Sequence, residues 1–282
     1  MQVRFKTPDD ARTTEEWIGM AEDSELAVWR DLWRAVSIPV AAEAGMHCAA
    51  IGSGVALMME KCPTWFFNRV LGLGVRGEAS ESDIERLIGL YGAKGLEFAV
   101  SLGVLARPRE LAAWLEKRGF EVVNVWAKMV RGAEAAREPG TGLKIEEVGA
   151  ERSGPVGEIL CAGFGAPPML KPIFGAALRS ASNHAYMAFD GDAPVAVGML
   201  SIRDGVGHLH SDATLAPYRG RGIQGAIMAR RLRDGAALGC TAFATETGLL
   251  SGEANPSYHN MLRCGFRKVC ERPNYLQRRR AR

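Results

Sequence analysis

Between Glu15 and Val36 the large apolar residues Trp17, Leu26, Trp29 and Trp33 recur at helical spacing among acids and arginines, which predicts an amphipathic helix with its stripe on a core. A second helix is predicted over Ser80 to Gly92, where a serine N-cap precedes acids that offset the helix's positive end. Ala49 to Met59 and Phe98 to Val104 read as strands. The second half is clearer. Leu143 to Val148 is a strand, Val156 to Phe164 and Pro172 to Ala181 are helices, and Ala185 to Asp190 turns at Gly191-Asp192 into Pro194 to Ile202. A turn at Arg203-Asp-Gly205 leads to a strand from Gly207 to Leu215. A helix opens at Arg219 to Gly225 and runs to about Leu238, followed by strand Thr241 to Thr245, helix Ser257 to Arg263 and a last strand from Phe266. The order β-α-α-β-β-β-α-β-α-β predicts an α/β fold on a mixed sheet, not a regular βαβ repeat.

The segment Arg131 to Gly142 is polar and rich in small residues, as a linker is. The domains expected are therefore 1–132, a linker at 133–142, and 143–276, with a basic tail at 277–282. The stretch Trp114-Leu-Glu-Lys-Arg-Gly-Phe-Glu-Val-Val123 has a counterpart in Met261-Leu-Arg-Cys-Gly-Phe-Arg-Lys-Val269, each a helix end, a C′ glycine and then a strand. Gly119 and Gly265 lie 265 − 119 = 146 residues apart, about half of the 282-residue chain, which suggests two copies of one fold.

Lys plus Arg exceeds Asp plus Glu by 35 − 32 = 3, but the last six residues hold four Arg, leaving the rest at 3 − 4 = −1. A body so near neutral argues against a nucleic-acid-binding face. Six scattered cysteines without a Cys-x-x-Cys pair, and an opening Met1-Gln2-Val3-Arg4 with no apolar stretch behind it, lead us to expect a reduced, cytoplasmic, metal-free protein. No apolar run approaches the roughly 18–20 residues of a membrane span.

The most informative stretch runs from His208 to Arg230, where a strand feeds a loop with Gly220, Gly222 and Gly225 and the loop becomes the first turn of a helix. Free N–H groups and the positive dipole end make such a turn a cradle for a diphosphate, and Arg219 and Arg221 add charge. Gly220-x-Gly222-x-x-Gly225 also spells the dinucleotide fingerprint, with Glu246 falling 21 residues after Gly225. Here, however, the glycines follow an antiparallel meander and the turn contains two arginines, which argues against a Rossmann unit.

At Arg219-Gly-Arg-Gly222-Ile-Gln224 the sequence resembles the GNAT superfamily of N-acetyltransferases, whose acetyl-CoA loop reads Gln/Arg-x-x-Gly-x-Gly/Ala. It departs at Gln224 and supplies Gly225 one place later. The resemblance spans Leu143 to about Leu276 and includes Asn255-Pro-Ser257-Tyr-His-Asn260-Met-Leu-Arg-Cys-Gly265-Phe266, similar to the family's Asn-x-x-Ser-x-x-Asn-x-x-x-Gly-Phe element. It implies that the loop of Gly220, Arg221, Gly222, Ile223, Gln224 and Gly225, with Arg219, binds the pyrophosphate of acetyl-CoA, and that the main chain at Thr214 and Leu215 meets pantetheine and the thioester oxygen. Asn260 is implied beside the pantetheine or phosphate arm. The loop-bearing strand is expected to splay from Thr241 to Thr245, exposing peptide groups.

Direct attack by an amine needs a base, and loss of the thiolate can use an acid. His208, His210, Asp212 and Thr214 alternate on one strand and share a face unless a bulge intervenes, so the two histidines and Asp212 are the candidate bases. The tyrosine acid that the superfamily often carries is replaced by Met261. Tyr258, three residues earlier on the same helical face, is the substitute candidate. Cys264 reads as core. No metal site is expected from this spacing. In the first half Arg69-Val-Leu-Gly72-Leu-Gly74 also satisfies the acetyl-CoA motif, but no helix follows at once and three acids lie between Gly77 and Asp83, so this half reads as a degenerate copy forming one wall of the cleft. The whole reads as a tandem acetyltransferase that acetylates a primary amine of a small molecule or peptide, with oligomeric state open. The alternative is a non-catalytic acyl-CoA sensor.

Overall fold

In the computed structural model, which describes residues 12–249 and 255–278, Thr13 caps helix α1 (Thr14–Ala35) through a capping box with Glu16. The first half continues with α2 (Ile38–Ala44), β1 (Met46–Ile51), β2 (Gly54–Met59), β3 (Arg69–Leu71), α3 (Glu81–Ala93), β4 (Phe98–Ser101), α4 (Leu111–Lys117) and β5 (Phe120–Gly132). The second half holds β6 (Lys144–Val148), α5 (Ser153–Phe164), α6 (Lys171–Ala176), β7 (Asn183–Asp190), β8 (Ala193–Arg203), β9 (Val206–Thr214), α7 (Ile223–Ala237), β10 (Ala242–Leu249), α8 (Pro256–Arg263) and β11 (Arg267–Gln277). The single strand expected over Ala49 to Met59 is instead the hairpin β1–β2, because Gly52, at φ +52°, turns the chain back. Of the basic tail, residues 279–282 lie outside the described residues.

The two halves do not form two sheets. One 11-stranded mixed sheet runs β1-β2-β3-β4-β11-β5-β10-β9-β8-β7-β6, so the last strand of each half is inserted into the other: β11 lies between β4 and β5, and β5 between β11 and β10. The expected boundary at 133–142 divides the chain in sequence but not in space. An internal two-fold relates the antiparallel pair β5 and β11. Arg267 faces Val130 and Leu276 faces Glu121, pairs that exchange under the 146-residue offset, and the ladder skips one residue on each strand, Val123 and Val269, again 269 − 123 = 146 apart. Gly119 and Gly265 precede these strands at φ +80° and +84°, left-handed positions that let each helix turn into its strand.

Alternation along the strands separates two faces. Val55, Leu57 and Met59 of β2 and Met187 and Phe189 of β7 pack with α1, α2, α5 and α6 in one core. Ala56 and Met58 face α3 and α4, whereas Tyr186, Ala188, Leu200 and Leu209 face α7 and α8. α1 crosses the middle of the sheet, with Trp17 and Ala21 on Val130, Ala242 and Ala244. Two features position the site. β9 and β10 pair in parallel only over Val206–His208 and Ala242–Ala244, then diverge as expected. The linker is no free spacer: Glu138 pairs with Arg233 of α7 at 2.8 Å, and Ala133, Ala136 and Leu143 pack on the α7 core.

The exchange predicts that residues 1–142 and 143–282 expressed separately will not fold, since each lacks a strand in the middle of its sheet, and that co-expression will restore a soluble 1:1 complex. Circular dichroism and size-exclusion chromatography check this; a folded, monomeric 143–282 would contradict the strand order.

Candidate active site

Where β9 leaves β10, its β10-side edge has no ladder partner among the described residues from Leu209 onward, and a cavity of about 670 Å³ opens in the gap. Leu209 to Asp212 line one side, Thr245 to Gly248 the other, and Gln224, Ser257 and Met261 a third. Trp29 of α1, Phe66, Arg69, Trp126 of β5 and the Phe164–Pro167 turn after α5 complete the wall, so both halves contribute.

A bulge breaks the alternation expected of His208, His210 and Asp212. Met199 faces His210, but Val197 faces Ala213, leaving one extra residue in β9, where Ser211 adopts φ +54°. The parity flips, and Asp212 turns to the α7 side, where both its oxygens bond the buried guanidinium of Arg231, Oδ2 at 3.1 Å. Burial raises the Asp212 carboxyl and Arg231 opposes that rise. This is a structural ion pair. His208 is equally engaged: Nδ1 lies 2.8 Å from Ser24 Oγ and Nε2 3.2 Å from Glu246, and the ring is buried. His210 differs, since it lines the cavity and its Nε2 has no hydrogen-bond partner among the described residues. Burial first, then His208 and Arg231, pull it down to about 3, which keeps the imidazole neutral.

The glycine loop is built much as expected. Gly220 and Gly222 take φ +77° and +74°, and Gly222 is the N-cap of α7 with no side chain capping the helix. Among the described residues, the peptide N–H groups of 220 to 225 donate to no carbonyl or side chain, and a Cβ on Gly220 would meet nothing within 4 Å. The linker flanks the other side, with the Gly140 carbonyl 3.7 Å from a Cβ built on Gly222 and Pro139 Cγ 3.1 Å from one on Gly225. Arg219 braces the loop, its Nε donating to the Thr214 carbonyl at 3.1 Å and Nη2 to Gly163 at 3.3 Å. Arg221 is exposed over the Tyr218 ring, and Ile223 is core.

Other expected contacts move. The Leu215 amide already donates to Val195 at 3.0 Å and the Thr214 carbonyl is taken by Arg219, so the edge without a β10 ladder partner lies earlier, at Leu209 to Ala213, where the His210 carbonyl accepts from Arg231 at 3.4 Å. Asn260 donates to Gln224 Oε1 at 2.8 Å and Gln224 donates to Ser257 at 3.3 Å, tying α8 to the start of α7; this is where the departing Gln224 is used. Tyr258 packs on the α7–α8 core and does not line the cavity; Ser257 and Met261 do. In the first half, Arg69–Gly74 cannot repeat the cradle. A Cβ on Gly74 would lie 2.7 Å from the Arg107 carbonyl, so that turn is plugged by backbone, and Arg69 is buried.

Sequence reasoning missed the buried charge cluster beneath the cavity. Glu25, on the apolar side of α1, bonds Arg272 of β11 with both oxygens (Nη2 to Oε1 at 3.0 Å), Lys128 of β5 at 2.8 Å and Arg69 of β3 at 3.5 Å. Lys128 also reaches Glu246 at 3.1 Å, and Arg272 reaches Glu22 at 3.2 Å. Burial pushes the Glu25 carboxyl up, but Arg272, Lys128 and Arg69 outweigh it and hold it well below the usual range. Burial and Glu25 likewise push Glu246 up, and Lys128 and His208 bring it down to about 2. The available signal was a pair of acids, Glu22 and Glu25, within the tryptophan stripe of α1. No group of three His, Cys, Asp or Glu among the described residues could hold a metal, and no helix among them is long and apolar enough to cross a membrane.

Residues 160–266 match the model of the acetyltransferase (GNAT) family. No curated protein matches the chain. The fold is similar to that of a GCN5-related N-acetyltransferase from Kribbella flavida, 18% identical, with a TM-score of 0.64 over 91% of this chain and 95% of that one. It is also similar to a tandem GNAT protein from the clavulanic acid biosynthesis pathway, 13% identical, with a TM-score of 0.63 over 95% of each chain. A GCN5-related N-acetyltransferase from Sphaerobacter thermophilus, 13% identical, gives 0.59 over 80% and 76%. These likenesses establish a tandem GNAT fold.

Because the folded-state values of Glu25 and Glu246 lie below the unfolded value of about 4.3, their stabilisation is present above pH 4.3 and is lost as pH falls from there towards 2. Glu25→Gln leaves Arg272, Lys128 and Arg69 without their shared counter-charge and is expected to cost roughly 3–5 kcal/mol at pH 7, with a flatter acid limb. Urea unfolding of both proteins from pH 7 to 3 measures it; an unaltered acid limb in the variant would refute the linkage.

Proposed function

We infer that this chain, whose second half carries a GNAT-family acetyltransferase domain, transfers the acetyl group of acetyl-CoA to a primary amine of a small molecule or peptide by direct attack in a ternary complex. The observation that carries the reading is the combination of a splayed β9–β10 edge on the cavity and an uncapped α7 N-terminus, open at Gly220, whose Gln224 lines that same cavity. N–H groups of Gly220 to Gly225 would hold the pyrophosphate, with the α7 dipole and Arg221 adding positive potential. The unpaired edge at Leu209 to Ala213 would hydrogen-bond the pantetheine arm as an added strand. The acetyl thioester supplies an activated carbonyl, and the chain would orient it.

The acceptor would enter the two-walled cavity. His210 is neutral and its Nε2 is unpartnered, so it would accept a hydrogen bond from the attacking amine and aim its lone pair. A group brought down to about 3 is a weak proton acceptor at pH 7, so the amine proton would pass on to water. The α8 face on the cavity presents Ser257 and Met261 and no tyrosine, so the thiolate would leave without a phenol donor. His208 and Asp212 would position β9 from either side. The acyl-CoA sensor remains the second reading, favoured by the methionine at 261.

Gly222→Val puts a branched side chain at a left-handed position, costing roughly 1–2 kcal/mol of stability, and is expected to abolish CoA binding by calorimetry while the fold is retained. Tyr258→Phe is expected to leave amine-dependent thiol release within about twofold. Tight CoA binding with no acceptor-dependent thiol across an amine library would favour the sensor.

A further inference from the structure

Arg69 closes one end of the cavity, and its surroundings are not those of a core residue. The side chain is wholly buried, with its guanidinium carbon 4.2 Å from the Trp29 ring centroid, 4.8 Å from that of Phe66 and 5.5 Å from that of Trp126. All four residues line the cavity. Among the described residues, Nε and Nη1 have no hydrogen-bond partner. The third nitrogen, Nη2, reaches only Glu25, at 3.5 Å, a carboxylate already bonded by Arg272 and Lys128. Aromatic faces attract a guanidinium but accept no conventional hydrogen bond, so the cation is held in place with most of its donors unused. Burial lowers Arg69 to about 10, which leaves it charged at neutral pH.

Buried donors of this kind call for an anionic acceptor from the ligand. Glu22, Glu25 and Glu246 balance Arg69, Lys128 and Arg272 in charge, so the cluster repels no incoming anion through an excess of acid, and a singly charged group disturbs the balance less than a phosphate dianion. The rings beside Arg69 make the rest of the pocket apolar. Resting on the reading of this cavity as the acceptor site, we propose that Arg69 anchors a carboxylate of the acceptor, so that the substrate class is a small amino carboxylate with an aromatic or bulky apolar body. The body would lie against Trp29, Phe66 and Trp126, with the amine towards His210. A volume of about 670 Å³ suits a ligand of that size.

The test uses 3-phenylpropionate and its neutral amide as probes, followed by calorimetry and by the fluorescence of Trp29 and Trp126. The wild type should bind the acid at least tenfold more tightly than the amide. Arg69→Met should lose that preference, Arg69→Lys should recover part of it, and CoA affinity should stay unchanged in both. With acetyl-CoA, phenylalanine should release thiol with a KM at least tenfold below that of phenethylamine. Equal binding of acid and amide by the wild type, or an unaltered preference in a folded Arg69→Met, overturns the proposal, as does a preference for succinyl-CoA over acetyl-CoA with no selection among acceptors. If Arg69→Met does not fold, the acid and amide comparison on the wild type decides. Failure of CoA to bind would sink the transferase reading while leaving the carboxylate result to stand separately.

Discussion

One carboxylate sits where everything in this molecule meets. Glu25 descends from α1 onto the centre of the sheet and bonds cations from β3, β5 and β11, strands that belong to both halves of the chain. A shared counter-ion of this kind is a poor source of net stability, because three cations and an acid have all been taken out of water. What it supplies is registration. Arg272 and Lys128 can reach the same acid only if β11 lies beside β5 and α1 lies across them, and these are the contacts that bring Trp29, Arg69 and Trp126 to the wall of one cavity.

The degenerate half is therefore no bystander. Its glycine turn is filled at Gly74 by the Arg107 backbone, whereas the corresponding turn of the other half is open at Gly220. Its remaining contribution is steric and electrostatic: α1, β3 and β5 supply the rings and the buried cations facing the edge of β9. A two-copy architecture thus divides labour across the β9–β10 gap, with peptide groups on one side and side-chain charge on the other.

Much of the fold was legible in the sequence because it rests on local signals. The serine cap at Ser80, the Gly191-Asp192 and Asp204-Gly205 turns and the paired C′ glycines each report on a few neighbouring residues. The glycine loop was legible for the same reason, since an open helix start is a local event. The strand exchange was not, because nothing within β5 or β11 states which neighbours they take. The bulge at Ser211 was also hidden, and it alone moved Asp212 away from the histidines. Glu22 and Glu25 lie in a stripe that hydrophobic spacing marks as core, and only the cations from distant strands make their burial tolerable.

The inserted position of β11 has a consequence for how the chain is made. Synthesis proceeds from the amino end, and when the ribosome has delivered everything up to the linker, β4 and β5 still have an empty slot between them that the final strand must occupy. Until that strand emerges, both edges carry unpaired peptide groups, and the partly finished polypeptide is exposed to association with other nascent chains. Closure is thereby deferred until β11 has been made, so the two halves cannot mature one at a time.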